Sequence, residues 1–148
     1  MASTIAERFR SELKVLGEAL HAVSPEIADK PWREGGWTRK QTVGHLLDSA
    51  ANNRQRFVRA SIEGVYTGPK YAQDGWVTAH GYVKQSWETL LAWWDVEHAI
   101  LASVVEQIPE ERMQALCKVG DDEPVTLQFL IEDYIEHQKW HLRQITAV

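Results

Sequence analysis

The sequence predicts an all-α protein, a four-helix bundle with long inter-helix connections, contained in a single domain over residues 1–148. Three observations predict it. Apolar residues recur at three- and four-residue steps through four segments, and strand-like alternation is nearly absent. Cap and stop residues fall at the ends of those segments. The 148 residues are 44% hydrophobic and 25% charged, with 9 Gly, 5 Pro and 1 Cys, which excludes collagen-like, disordered and disulfide-scaffold classes.

The first helix carries the stripe Ile5, Phe9, Leu13, Leu16, Leu20 and Val23; Thr4 and Glu7 have capping-box spacing ahead of it, and Ser24-Pro25 stops it. Gly35-Gly36-Trp37-Thr38 announces the second, with Thr38 and Gln41 again at capping-box spacing, apolar positions from Val43 to Ile62, and Gly64 as the stop. Residues 64–75, with Gly68-Pro69, read as a loop. A third helix is expected from about Trp76 to Gln107, capped by Asp74 and ended before Pro109. The stretch 110–125 reads as polar and irregular. Thr126 caps a last helix from Leu127 toward Ile145.

Lys plus Arg is 16 and Asp plus Glu is 21, a net charge of −5 that argues against a nucleic-acid binder, which needs a basic footprint. The local group Arg54, Arg56 and Arg59 reads as a solvated helix face. The N-terminal residues show no basic region followed by an apolar core, and no apolar run approaches the ~20 residues that cross a bilayer. Cys117 has no internal partner, so a reducing, cytoplasmic setting is expected, with no membrane partner.

The chemistry concentrates on the last helix. Its core-facing line runs Leu127, Leu130, Tyr134, His137, His141 and Ile145, so two histidines four apart share the face that should be buried. That spacing lets two imidazoles grip one metal ion. On spacing alone the alternative stays open: two partly buried histidines bonded to backbone or carboxylates, with four ring nitrogens to satisfy. His45, beside Leu46 in the second helix, is a candidate third ligand, and His80 competes with it. His21 lies beside the first stripe, and His98, with Asp95 and Glu97, is expected to be exposed. The run His137-Gln138-Lys139-Trp140-His141 is not a zincin motif, because Gln replaces the Glu that would act as base.

Gly36-Trp37-Thr38 leading to Gly44-His45-Leu46-Leu47-Asp48-Ser49, then Tyr71-Ala72-Gln73-Asp74-Gly75-Trp76-Val77, then Asp133-Tyr134-Ile135-Glu136-His137 through His141-Leu142-Arg143-Gln144-Ile145, occur in an order and at separations that resemble the DinB/YfiT-like superfamily over nearly the whole chain. The resemblance implies a divalent metal, nickel or zinc, held by His45, His137 and His141. It also implies a homodimer, and relatives that include transferases using low-molecular-weight thiols and a mycothiol-dependent isomerase. The expected function is a metal-dependent transferase in which the metal activates a low-molecular-weight thiol or water toward a small electrophilic substrate. A non-catalytic metal-binding, stress-related bundle and a metal-dependent hydrolase are the alternatives.

Helical spacing supplies further candidates. Asp133, four before His137, and Asp48, three after His45, could each accept an imidazole N–H, or could be surface charge or caps. Asn52, seven after His45, could line the same face. Tyr71, Gln73 and Asp74 sit on the expected loop over the bundle mouth, a natural lid, with Tyr71 and Asp74 the candidate catalytic groups. Trp37, Trp76 and Trp140 are candidate pocket walls, and Trp93 beside Trp94 a candidate interface.

Overall fold

The computed structural model describes residues 2–147, with side chains from residue 5 onward. In chain order the elements are α1 (Ala2–His21), a one-turn α2 (Pro25–Ala28), α3 (Arg39–Glu63), β1 (Val65–Gly68), a short α4 (Gln73–His80), α5 (Trp87–Gln107), β2 (Leu116–Val119), β3 (Val125–Thr126) and α6 (Leu127–Thr146), with 3-10 turns at Tyr82–Lys84 and Glu110–Gln114. The four long helices α1, α3, α5 and α6 form the bundle. α1 packs against α5 and α6, and so does α3, so the successive long helices α1 and α3 lie on opposite corners. Among the described residues no helix is long and apolar enough to cross a membrane.

Local chemistry sets the helix ends. The Thr38 hydroxyl accepts from the Gln41 N–H at 3.1 Å and the Gln41 side chain accepts from the Thr38 N–H at 2.9 Å, a complete capping box that starts α3. Gly64, at φ 79°, ends it in the left-handed region. Thr126 accepts from the Phe129 N–H and starts α6. The Arg39 guanidinium, buried near the start of α3, donates to the Ile145 carbonyl at 2.7 Å and to Lys30 and Pro31 at 3.2 Å, and also reaches the Ala147 carbonyl. A cation on the last carbonyls of α6 is favourable there, and it pins the end of α6 to the start of α3.

Several sequence expectations need correction. α1 already begins at Ala2, two residues before Thr4, whose side chain lies outside the described residues, so the Thr4–Glu7 box is not the start of the helix. The third long helix is two helices: Gly81, at φ 59°, breaks the chain, and the Ser86 hydroxyl caps α5 by accepting from the Thr89 N–H at 3.1 Å. Asp74 is not a cap. Ala72 occupies that place without a side-chain bond, and Asp74 lies in the first turn of α4. Residues 64–75 and 110–125 are not plain loops: β1 pairs in parallel with β2, and β2 antiparallel with β3, in a three-stranded sheet. Parallel pairing needs a long crossover, here supplied by α4 and α5. Strands of two to four residues are too short to show alternation.

His98 is not exposed. It is 2% accessible on α5, its Nδ1–H donating to the Trp94 carbonyl at 2.8 Å, which leaves Nε2 to accept from the Tyr134 hydroxyl at 2.6 Å. Trp93 packs its ring on Tyr82 and His80, while Trp94 is buried.

Two outcomes follow. A Cβ added at Gly44, in the second turn of α3, would lie 2.0 Å from the Tyr82 ring. Gly44→Ala should therefore destabilise by about 1–3 kcal/mol in urea unfolding despite its better helix propensity; a stabilised variant would contradict this packing. Burial holds His98 down from 6.5 to about 4, so between those values the unfolded chain binds a proton that the native one does not. Stability should thus fall as pH drops through that window and be flat above it, with His98 contributing about 1.4 kcal/mol per pH unit. His98→Gln should show a shallower acid slope than the parent in urea titrations from pH 7 to 5; equal slopes would contradict the burial.

Candidate metal centre

Side chains from the two pinned helices meet near the start of α3 and the end of α6. α3 supplies His45, 1% accessible, and α6 supplies His137 and His141, one turn apart on its inner face. One ligand atom from each ring lies within 4.8 Å of the others. The Nε2 atoms of His45 and His137 are 3.4 Å apart. Ring centroids are separated by 5.2, 4.7 and 4.6 Å, with the rings at 72–86° to one another. Two nitrogens bound tetrahedrally at 2.0–2.1 Å to one zinc-like ion would sit about 3.4 Å apart, so the donor set fits a single divalent cation.

Burial, then the neighbouring His141 and His137, hold His45 down to about 3. Burial and His141 hold His137 at about 4, and burial lowers His141. All three are neutral ligands at neutral pH. The His141 Nδ1–H donates to the Gln144 side-chain oxygen at 2.8 Å, which leaves its Nε2 lone pair free. His45 Nδ1 is buried with no partner. Trp37 lies on the His45 ring at 5.2 Å and Trp140 on that of His141 at 4.8 Å, walling the cluster as expected.

The remaining candidates separate. Asp48 does not turn to an imidazole of the cluster: its Oδ1 accepts from the Tyr82 hydroxyl at 2.5 Å and lies 3.1 Å from His80 Nδ1. Burial raises its pKa, with Tyr82 and His80 opposing. His80, the competing ligand, is thereby outside the cluster. Asp133 is exposed and makes no hydrogen bond to His137 among the described residues. The Asn52 amide donates to the Asp48 backbone carbonyl at 2.9 Å. Trp76 packs against Tyr71 and His80. Cys117 is fully buried and burial pushes its thiol up, which removes it as a nucleophile.

Two cavities flank the cluster. One, on the His141 side, is lined by Asp74, Trp37, Trp140, Trp32 and Arg33. The other, of about 370 Å³, opens on His137 and includes Ser49, Asn53, Arg56, Lys70 and Tyr71. Tyr71 and Asp74 thus face different sides. Burial, with Asp48 adding, pushes Tyr71 up to about 12 despite its bond to Ser49, so it is a neutral hydroxyl that can donate. Gln144 is reachable from the sequence, three residues after His141. Arg56, Ser49 and Tyr82 are not, because their importance depends on what faces α3.

The family profile of the DinB superfamily matches residues 8–145. YfiT of Bacillus subtilis, named provisionally as a metal-dependent hydrolase, is 24% identical over 134 residues, covering 90% of this chain and 75% of YfiT. A Geobacillus kaustophilus protein of the same provisional name is 28% identical over 134 residues, with the same coverage. An Oceanobacillus iheyensis relative is 36% identical over 61 residues, 41% of this chain and 35% of its own length. The YfiT structure, described as a four-helix bundle of unusual topology, superposes with a TM-score of 0.82 at 23% identity, over 98% of this chain and 83% of that one. The mycothiol-dependent maleylpyruvate isomerase superposes with a TM-score of 0.82 at 14% identity, and this chain spans 62% of its length. At such identities the superpositions speak for the fold. The profile, matched across nearly the whole sequence, places the chain in the DinB superfamily.

Proposed function

We propose that this DinB-superfamily protein is a metal-dependent transferase, in which His45, His137 and His141 hold one divalent cation, nickel or zinc, beside a cavity for a small electrophilic substrate. One observation carries the reading: three neutral imidazoles converge with their ligand atoms within 4.8 Å, and no fourth His, Cys, Asp or Glu joins them among the described residues. Three protein ligands with open positions are the pattern of a catalytic site, and a closed set of four that of a structural one. A cation there would supply Lewis acidity and take the proton load off a thiol or water.

The residues around the cluster favour a thiol. Gln138, which stands where a zincin has its base, is buried and its Oε1 accepts from the Trp94 indole N–H at 3.4 Å, so it points into the α5 contact. A coordinated thiol loses its proton outright, whereas coordinated water is only brought to a pKa of about 7 and gains from a neighbouring base, which Gln138 cannot be. The mycothiol dependence of the structurally similar isomerase supports the same choice. The hydrolase reading is the second one, favoured by the names of YfiT and the Geobacillus relative. In either reading Tyr71 would donate its hydroxyl proton in a hydrogen bond to substrate, supported by its position on the His137-side cavity, and Asp74 would meet substrate on the other side.

Elemental analysis of untagged protein, purified without chelator or nickel resin, should find about one nickel or zinc per chain, and none in His45→Ala. Screened with small thiols and alkylating electrophiles, the parent should consume thiol and electrophile together, and chelator-stripped protein and His137→Ala should not. Metal-free parent, or turnover that survives stripping, would refute the reading. Electrophile lost without thiol would move the assignment to the hydrolase.

A further inference from the structure

The cavity on the His137 side holds a charge that the fold does not use. α3 carries four arginines, and three are accounted for. Arg39 is saturated by backbone carbonyls. Arg54 pairs with Glu97 at 3.0 Å, and Arg59 with Glu63 at 3.6 Å. Arg56 is different. It is 9% accessible, it has no carboxylate within ion-pair distance among the described residues, and its single bond is a long 3.4 Å contact from Nη2 to the Pro69 carbonyl. It is therefore not part of a solvated face. A guanidinium has five N–H donors in a rigid fork, and burying its charge costs several kcal/mol unless an anion or acceptors compensate. Here most of that fork is left to the cavity.

Helical geometry aims the cavity at the imidazole cluster. His45, Ser49, Asn53 and Arg56 follow one another at steps of four, four and three, so they lie on one line of α3, and His137, Tyr134 and Leu130 supply the facing wall from α6. Arg56 is eleven residues below His45, about 16 Å along the axis, and its side chain leans back toward the helix N-terminus, leaving about 10 Å to the cluster. Tyr71 closes the side, near enough to Ser49 and Arg56 for both to hold its pKa back. The cavity's other charges are at its mouth: Lys70 is tied to Asp122 at 3.1 Å, and both are exposed, as is Asp133.

We infer that Arg56 is the carboxylate receptor of this site: the cavity takes a small molecule bearing one carboxylate on the Arg56 fork, with its reacting end about two helical turns away at the three histidines. The inference rests on the metal-centre reading for what happens at that far end, but not for the anion site itself. A single unpaired cation matches one carboxylate in charge and in bidentate geometry, whereas a dianionic phosphate would call for a second free cation that Lys70, held by Asp122, does not supply. The assignment leaves open only which reactant carries the group, the thiol or the electrophile.

Calorimetric titrations with matched probes test it. Hexanoate against hexanamide reads the anion site alone, in stripped and metal-loaded protein. 6-Mercaptohexanoate against 6-mercaptohexanamide reads it together with the metal. The parent should prefer the acid at least tenfold in one pair or both. That preference should vanish in Arg56→Gln and be partial in Arg56→Lys, which keeps the charge without the fork, with metal content unchanged in both variants. A further tightening of the mercapto acid in loaded protein assigns the carboxylate to the thiol; acid preference confined to hexanoate assigns it to the electrophile. In the parent, the Arg56 Nε–H resonance should shift with hexanoate and not with hexanamide, a readout that needs no variant to fold. No acid preference in either pair, or a preference that survives Arg56→Gln, overturns the inference. Acid preference in a protein that binds no metal would uphold it while removing the metal reading.

Discussion

Three imidazole rings packed 4.6–5.2 Å apart inside a helical bundle are held in the neutral form, each with one ring N–H and one lone pair. A charged ring would be desolvated and repelled by the next. That constraint makes the cluster a set of lone pairs in search of a cation, and most of the surrounding structure serves to keep it so. The Gln144 bond fixes one ring, the Trp37 and Trp140 indoles wall it off, and Arg39 ties the end of α6 to the start of α3, so that donors from two helices meet in one place. Preorganisation of this kind comes from rigid helices and not from loops.

The same bundle solves its polar groups in two different ways. Away from the cluster, His98, Tyr134 and the Trp94 carbonyl satisfy one another, so burial is compensated within the fold, whereas Asp48 is satisfied at Oδ1 by the Tyr82 hydroxyl and left without a partner at Oδ2. Around the cluster it is not: His45 Nδ1 has no partner and Arg56 has almost none. Polar groups left short in a cavity cost stability, and proteins keep such costs where ligands bind. The contrast between saturated Arg39 and underused Arg56, on one helix, is the sharper for their similar burial.

Membership of the DinB superfamily and the fold it shares with YfiT do not choose among reactions, since one fold hosts many. The choice lies with side chains that face the cavities. Gln138 turned into the helix contact, Tyr71 held neutral, and Arg56 short of partners are the side chains on which the proposed reading rests, a site that would orient a small acid and leave proton removal to a cation on the three histidines.

What the sequence determined alone is what depends on near neighbours in the chain. The Thr38–Gln41 capping box, the Gly64 stop, the Thr126 cap and the i,i+4 histidine pair are all settled within one or two turns, so they were legible, and so was the order of motifs that marks the family. What the tertiary structure decided depends on contacts across the bundle. A four-residue strand has no period to read, and β1 finds β2 only because α4 and α5 carry the chain back. His98 looks polar from Asp95 and Glu97, yet its surroundings are Trp94 and Tyr134. Asp48, three residues from His45, turns instead to Tyr82, thirty-four residues on. Helical spacing says which residues share a face; only packing says what that face meets, because the energy of a buried polar group is set by its partner and not by its address in the chain.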